Sequence, residues 1–162
     1  GFNELFFKYS NIELHLIGQW ESVEFKNKIF QHISECKNNI FFYGLQIGNN
    51  KWKIFSDCNI YVHFSQMEGQ SISIIEACAM GLPVVATNVG ATSLIIKNKY
   101  NGFLINNNSI DEFVNSISQL IDNHDLIMTM SKRNIEMYKK RHTEDAYCQS
   151  MEELFEGIIN RN

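Results

Sequence analysis

Short apolar runs alternate with segments of helical period along the first two thirds of the chain. No other feature constrains the fold as much. The runs are residues 13–17 (ELHLI), 40–43 (IFFY), 60–64 (IYVHF), 83–86 (PVVA) and 102–105 (GFLI). Most are continuous rather than alternating, as strands must be when a parallel sheet is covered on both faces. Between them, residues 21–36 set Phe25, Ile29, Ile33 and Cys36 at three- and four-residue steps, which makes one apolar stripe. Residues 51–58 form a shorter helical candidate. Residues 72–80 form another, stopped by Gly81 with Pro83 just beyond. Strand and helix in alternation imply right-handed crossovers, so the expected class is α/β with a doubly wound parallel sheet.

The last third changes to helix alone. Ser109-Ile110-Asp111-Glu112 reads as a capping box, followed by Phe113, Ile117, Leu120 and Ile121 at helical spacing. A second helix is expected over 124–140, closing on Lys139, Lys140 and Arg141, which suit a helix C-terminus. The Lys139–Arg141 cluster reads first as a solvated helix end. A third helix opens at Thr143 with Glu144 and Asp145 in its first turn, and its stripe is Tyr147, Met151, Leu154, Phe155 and Ile158. Asn106-Asn107-Asn108 reads as a loop. The chain opens on a helix-like stretch, 3–9, with no strand before it, which suggests a piece of something larger.

Composition narrows the function classes. A chain of 162 residues fits about one domain of roughly 150. The expectation is therefore a single domain, 1–162. A net charge of -4 offers no electrostatic footprint for nucleic acid. No apolar run approaches the roughly 20 residues that span a bilayer, so a cytoplasmic protein is expected. Cys36, Cys58, Cys78 and Cys148 form no Cys-x-x-Cys pair and lie in apolar or helical stretches, so they read as buried free thiols. The histidines are scattered. No metal is expected.

Ligands of open α/β sheets bind beyond the carboxyl ends of the strands, where loops lead into helix N-termini. The best such place follows the run 60–64, with Glu68, Gly69, Gln70, Ser71 and Ile72 leading towards Glu76. Gly69 would allow a tight or left-handed turn, and the amides from Gln70 through Ile72 to Ser73 would point outward at the helix start. Glu68 and Glu76 could accept hydrogen bonds from a polyhydroxylated ligand such as a sugar or ribose. A plain structural reading stands beside this one. Ser73-x-x-Glu76 also fits a capping box, and Glu68 could be a solvated loop acid.

Read as a whole, EGQSISIIEACAMGLPVVATNVG (68–90) resembles the donor half of the retaining glycosyltransferases of family 4, also called group 1. Their pattern is two glutamates with seven residues between, an alanine-rich turn, Gly-x-Pro, a valine-rich strand and a Gly-Gly loop. Glu68 and Glu76 match the acids, Gly81 and Pro83 the Gly-x-Pro, and Val84, Val85 and Ala86 the strand. Residues 13–18, ending on Gly18, look like the strand-and-glycine element the family places near the nucleotide. Phe41-Phe42-Tyr43-Gly44 looks like its base-proximal strand end, and Tyr100-Asn101-Gly102-Phe103-Leu104 like its following strand.

The resemblance implies a GT-B fold whose C-terminal half is Rossmann-like. Glu68, the residue marked as catalytic, would contact the donor sugar or its phosphate, and Glu76 would bind the ribose hydroxyls. The backbone of Gly69, Gln70, Ser71 and Ile72 would face the sugar and diphosphate. Gly44 and Leu45 would lie against the base, with Gly18 nearby. The donor would be a UDP- or GDP-sugar, the acceptor a glycan or lipid-linked molecule held by an N-terminal domain. Neither cofactor nor metal would be needed. The setting would be bacterial surface polysaccharide synthesis, at or near the inner membrane face. There the Lys139–Arg141 cluster could touch anionic lipid.

Three departures qualify it. The family commonly has Phe-Gly where this chain has Gln70 and Ser71, and its Gly-Gly-Pro-Glu loop is here Gly90-Ala91-Thr92-Ser93-Leu94. Its diphosphate-clamping Arg and Lys are expected to precede Gly1. The alternatives are another GT-B activity, such as sugar-nucleotide epimerisation, and a non-catalytic α/β interaction domain. His63 and His15 read first as core histidines, with a substrate contact by His63 left open. Trp20 and Trp52 read as packing or rim aromatics.

Overall fold

The computed structural model describes residues 1–33, 36–107 and 109–159. Asn108 of the expected asparagine loop, and Ser34 and Glu35 of the expected helix 21–36, lie outside the described residues. The elements are α1 (Phe2–Lys8), β1 (Leu14–Leu16), α2 (Val23–His32), β2 (Ile40–Phe42), α3 (Gly48–Ser56), β3 (Tyr61–His63) and α4 (Ile72–Ala79). They continue with β4 (Val84–Thr87), α5 (Thr92–Ile95), β5 (Gly102–Ile105), α6 (Ile110–Ile121), α7 (His124–Arg141) and α8 (Glu144–Ile159). All five expected strands form, and all are parallel. The class is α/β, built from Rossmann-like crossovers.

Two compact units divide the chain, residues 1–58 with 108–122 and residues 59–107 with 123–162. In the first, β1 pairs with β2, Leu14 opposite Ile40 and Leu16 opposite Phe42. Helix α2 starts where the Ser22 hydroxyl accepts from the Phe25 amide at 3.0 Å. Its expected stripe is only partly used, since Phe25 is exposed and no α2 residue is fully buried. Trp20 instead gathers aromatic rings, with Phe42 at 5.0 Å and Phe30 at 6.2 Å between centroids. The serine half of the expected capping box at α6 is present, Ser109 Oγ accepting from the Glu112 amide at 3.3 Å. From α6, Ile117 and Leu120 are buried, as is Leu5 of α1.

In the second unit the order is β3-β4-β5. Central β4 is buried throughout, whereas β3, at the sheet edge, is only half-buried at all three positions. β5, the other edge strand of this order, is buried at three of its four positions, so a continuous apolar run translates into burial there and not on β3. Helix α7 packs on α4 through a polar lock. The fully buried Asn134 side chain donates to the Leu82 carbonyl at 2.8 Å and to the Asn101 carbonyl at 2.9 Å. It accepts from Asn101 Nδ2 at 2.8 Å and from the Cys78 thiol at 3.4 Å.

The α8 helix forms with its expected stripe, but Tyr147, Leu154, Phe155 and Ile158 are all more than half exposed. One sequence expectation needs correction here. Cys148 on the same helix is likewise exposed and Cys58 half-buried, so only Cys36 and Cys78 are the buried thiols expected. Burial pushes the Cys78 thiol up to about 12, which leaves it inert. No helix among the described residues is long and apolar enough to cross a membrane.

Candidate functional site

In the second unit, β3 and α4 meet around the acid pair. His63, at the end of β3, lies 2.9 Å from Glu68 Oε1 through Nε2. The imidazole stacks on Tyr61, two residues earlier on the same strand face, with centroids 6.3 Å apart and planes 16° apart. Burial pushes the Tyr61 hydroxyl above its ordinary range. A hydrogen bond with Ser73 opposes that, and the charges of Glu76 and then Glu68 raise it further. Both carboxylates therefore act on one tyrosine, which remains a neutral donor at physiological pH. Sequence reading missed Tyr61 and Ser73, although the two-residue step from Tyr61 to His63 already placed both rings on one face.

The capping-box alternative does not survive the helix start. Ser71 is the N-cap of α4, so Ser73 and Glu76 lie inside the helix rather than at its cap and third positions. The Ser71 hydroxyl makes no cap bond and pairs with Ser73 Oγ at 2.9 Å instead. Serine side chains therefore leave the first-turn amides of α4 uncapped. Glu76 itself is half-buried in the second turn.

The acid loop is held by backbone contacts from β4 and the turn beyond it. Thr87 Oγ1 accepts from the Ser65 amide at 3.0 Å and donates to the Ser65 carbonyl at 2.8 Å. The Ala91 amide donates to the Gly69 carbonyl at 2.9 Å. Of the two turns expected at Gly69, tight or left-handed, the left-handed one does not form there; Gly90 takes that conformation, at φ 53°. A Cβ at Gly90 would collide with the Glu68 carbonyl oxygen, whereas one at Gly69 would meet open space. Gly90→Ala is accordingly expected to cost about 2 kcal/mol or more, from left-handed strain and the collision. Gly69→Ala should change stability by under about 0.5 kcal/mol. Urea unfolding of both variants checks this, and equal losses would be the wrong result.

The remaining candidates lie in the first unit. Gly18 (φ 143°) and Gly44 (φ 67°) lie two residues beyond the ends of β1 and β2, and the Gly18 amide donates to the Gly44 carbonyl at 2.9 Å. Leu45 follows, well exposed. His15 is paired on both sides, Nδ1 with the Tyr43 hydroxyl at 2.8 Å and Nε2 with Glu13 at 3.1 Å, and its ring stacks on Phe41. It lines a cavity of about 320 Å³ with Tyr43, Gln46, Asn50, Lys53, Ile54 and Asp57. Helical spacing on α3 could have shown that Asn50, Lys53 and Asp57 share a face. It could not show that His15 lay opposite them. No cluster that could hold a metal ion occurs among the described residues.

Comparison with known proteins gives a consistent set of likenesses. A family model described as glycosyl transferases group 1 matches residues 3–137. The chain is 30% identical over 157 residues to the poly(ribitol-phosphate) alpha-N-acetylglucosaminyltransferase of Staphylococcus aureus, covering 94% of this chain and 31% of that protein. It is 29% identical over 120 residues to the UDP-Gal:alpha-D-GlcNAc-diphosphoundecaprenol alpha-1,3-galactosyltransferase of Escherichia coli, covering 74% of this chain and 30% of that protein. Among solved structures, Anabaena HepE in complex with UDP is similar with a TM-score of 0.81 at 21% identity, covering 90% of this chain and 41% of that one. The chain thus spans less than half the length of each of these proteins.

Proposed function

Because the chain belongs to the glycosyl transferases of group 1, we propose that it forms the donor-binding half of a retaining enzyme. That enzyme moves a sugar from a UDP-sugar to a glycan or lipid-linked acceptor in bacterial surface polysaccharide synthesis. The observation that carries the reading is the acid pair at the uncapped start of α4, with Glu68 Oε1 held 2.9 Å from His63 Nε2 and Glu76 half-buried in the second turn. Glu76 accepts hydrogen bonds from the ribose hydroxyls. Glu68 contacts the donor sugar, and the uncapped start of α4, with Gln70, Ser71 and Ile72, faces the diphosphate. Gly69, which the fold does not need as glycine, leaves room for a ligand to approach the backbone.

In the transfer itself, the bond from the anomeric carbon to the diphosphate oxygen breaks while one to the acceptor oxygen forms. The acceptor enters on the face the nucleotide leaves, and its proton passes to the departing diphosphate. The protein contributes positioning and hydrogen bonds that hold the two substrates in reacting geometry. The acceptor is held by a part of the enzyme outside this chain, and no metal is used. UDP as the nucleotide is supported by the UDP named for HepE and by the UDP-Gal in the name of the E. coli relative.

Ligand-detected NMR against UDP-, GDP- and ADP-sugars tests this. Saturation transfer is expected to the UDP-sugars, unchanged by excess EDTA. No transfer to any nucleotide-sugar would favour a plain interaction domain. Signal that vanishes with EDTA would count against the metal-free reading.

A further inference from the structure

We propose that His63 is a positioning residue for the donor sugar, a role that rests on the donor-binding reading above. His63 Nε2 lies 2.9 Å from Glu68 Oε1, and no other hydrogen bond of the Glu68 carboxylate occurs among the described residues. An ionised carboxylate can only accept, so Nε2 carries the proton and donates. The ring has little freedom to turn away. It is stacked on Tyr61, and its side chain is only 17% exposed, against 26% for Glu68. The loop on the other side of the pair is equally constrained, since Gly90 lies directly against the Glu68 carbonyl and Ala91 bonds Gly69.

These restraints act on different parts of one residue. Gly90 and Ala91 set the backbone of the acid loop, and His63 sets the side chain. With Oε1 engaged by the imidazole, Oε2 is the oxygen presented to a ligand hydroxyl, in one orientation. A loop glutamate without that bond would sample several rotamers and would have to lose that freedom on binding. The imidazole therefore acts on the sugar end of the donor. It has no part in holding the nucleotide, whose ribose is assigned to Glu76.

The test compares sugar-dependent with sugar-independent binding by isothermal titration of UDP, UDP-glucose, UDP-galactose and UDP-N-acetylglucosamine. For the UDP-sugar that the wild type binds best, His63→Leu should weaken binding about ten-fold while UDP stays within about two-fold. His63→Gln, which restores a donor to Glu68 without the ring, should recover most of the lost affinity. Equal weakening of UDP and UDP-sugar would show that His63 only supports the fold. So would a glutamine variant no better than leucine. Unchanged binding of both ligands would also overturn the proposal. A wild type that binds neither UDP nor any of these sugars would overturn the donor-binding reading itself, and this inference with it.

Discussion

Glu76→Ala is expected to abolish measurable binding of UDP-sugars while leaving the fold almost as stable as before. A ribose-facing carboxylate forms two charge-assisted hydrogen bonds, each worth about 1.5–3 kcal/mol when desolvated, so their loss weakens binding at least ~100-fold. The stability change should stay under about 1 kcal/mol, because Glu76 is a second-turn residue and not a member of the α4 cap. Isothermal titration and urea unfolding on the same preparation separate the two effects. Glu76→Gln, which keeps one acceptor but no charge, should fall between alanine and wild type. A variant that unfolds more easily yet still binds UDP-sugar would reverse the assignment and return Glu76 to a structural role.

Asn134→Ala should act in the opposite way, with a large loss of stability. The side chain is fully buried and satisfies two carbonyls, the Asn101 amide and the Cys78 thiol. Truncation strands the Leu82 and Asn101 carbonyls and one Asn101 donor, at a cost of about 3–4 kcal/mol in all. Asn101 belongs to the same network, since its Oδ1 accepts from the Lys97 amide at 2.7 Å and its Nδ2 donates to the Ile95 carbonyl at 3.2 Å. Asn101→Ala and Asn134→Ala should therefore be less costly together than the sum of the single variants. Urea unfolding of the two singles and the double measures this. A loss under about 1 kcal/mol for Asn134→Ala, or strict additivity, would mean that the buried amides are not coupled as the geometry indicates.

Asn134 did not stand out in the sequence, and Asn101 stood out only as part of a family-like strand. Asn134 sits in a stretch of α7 rich in charge, SKRNIEMYKK, where a polar residue reads as solvated. Its burial follows from α7 lying on α4, a contact between residues about fifty positions apart. The α8 stripe shows the opposite limit. Its period is helical and the helix forms, but a period reports only that apolar residues share a face and not what covers that face. Short α5 escaped notice because four residues carry too little periodicity to register.

Glycine shows the same division. A sequence can mark Gly69 and Gly90 as permissive, but it cannot say which one the backbone needs. The structure places the left-handed turn at Gly90, because that residue must pass the Glu68 carbonyl without a side chain. Gly69, next to the acid, could carry a Cβ into open space.

By itself the sequence determined the five parallel strands, the Ser109 cap of α6 and the spacing of Glu68 and Glu76. Each depends on residues close in the chain, whose energetics are local: near-continuous apolar runs, a serine three residues before a glutamate, two acids flanking one helix start. Tertiary structure decided which oxygen of Glu68 is held, which glycine supports its loop, that Ser71 rather than Ser73 takes the N-cap position of α4, and that Asn134 is buried. These depend on which atoms come within hydrogen-bond or van der Waals distance once the sheet has formed. Such distances are set by the packing of distant segments against one another, which local periodicity does not encode.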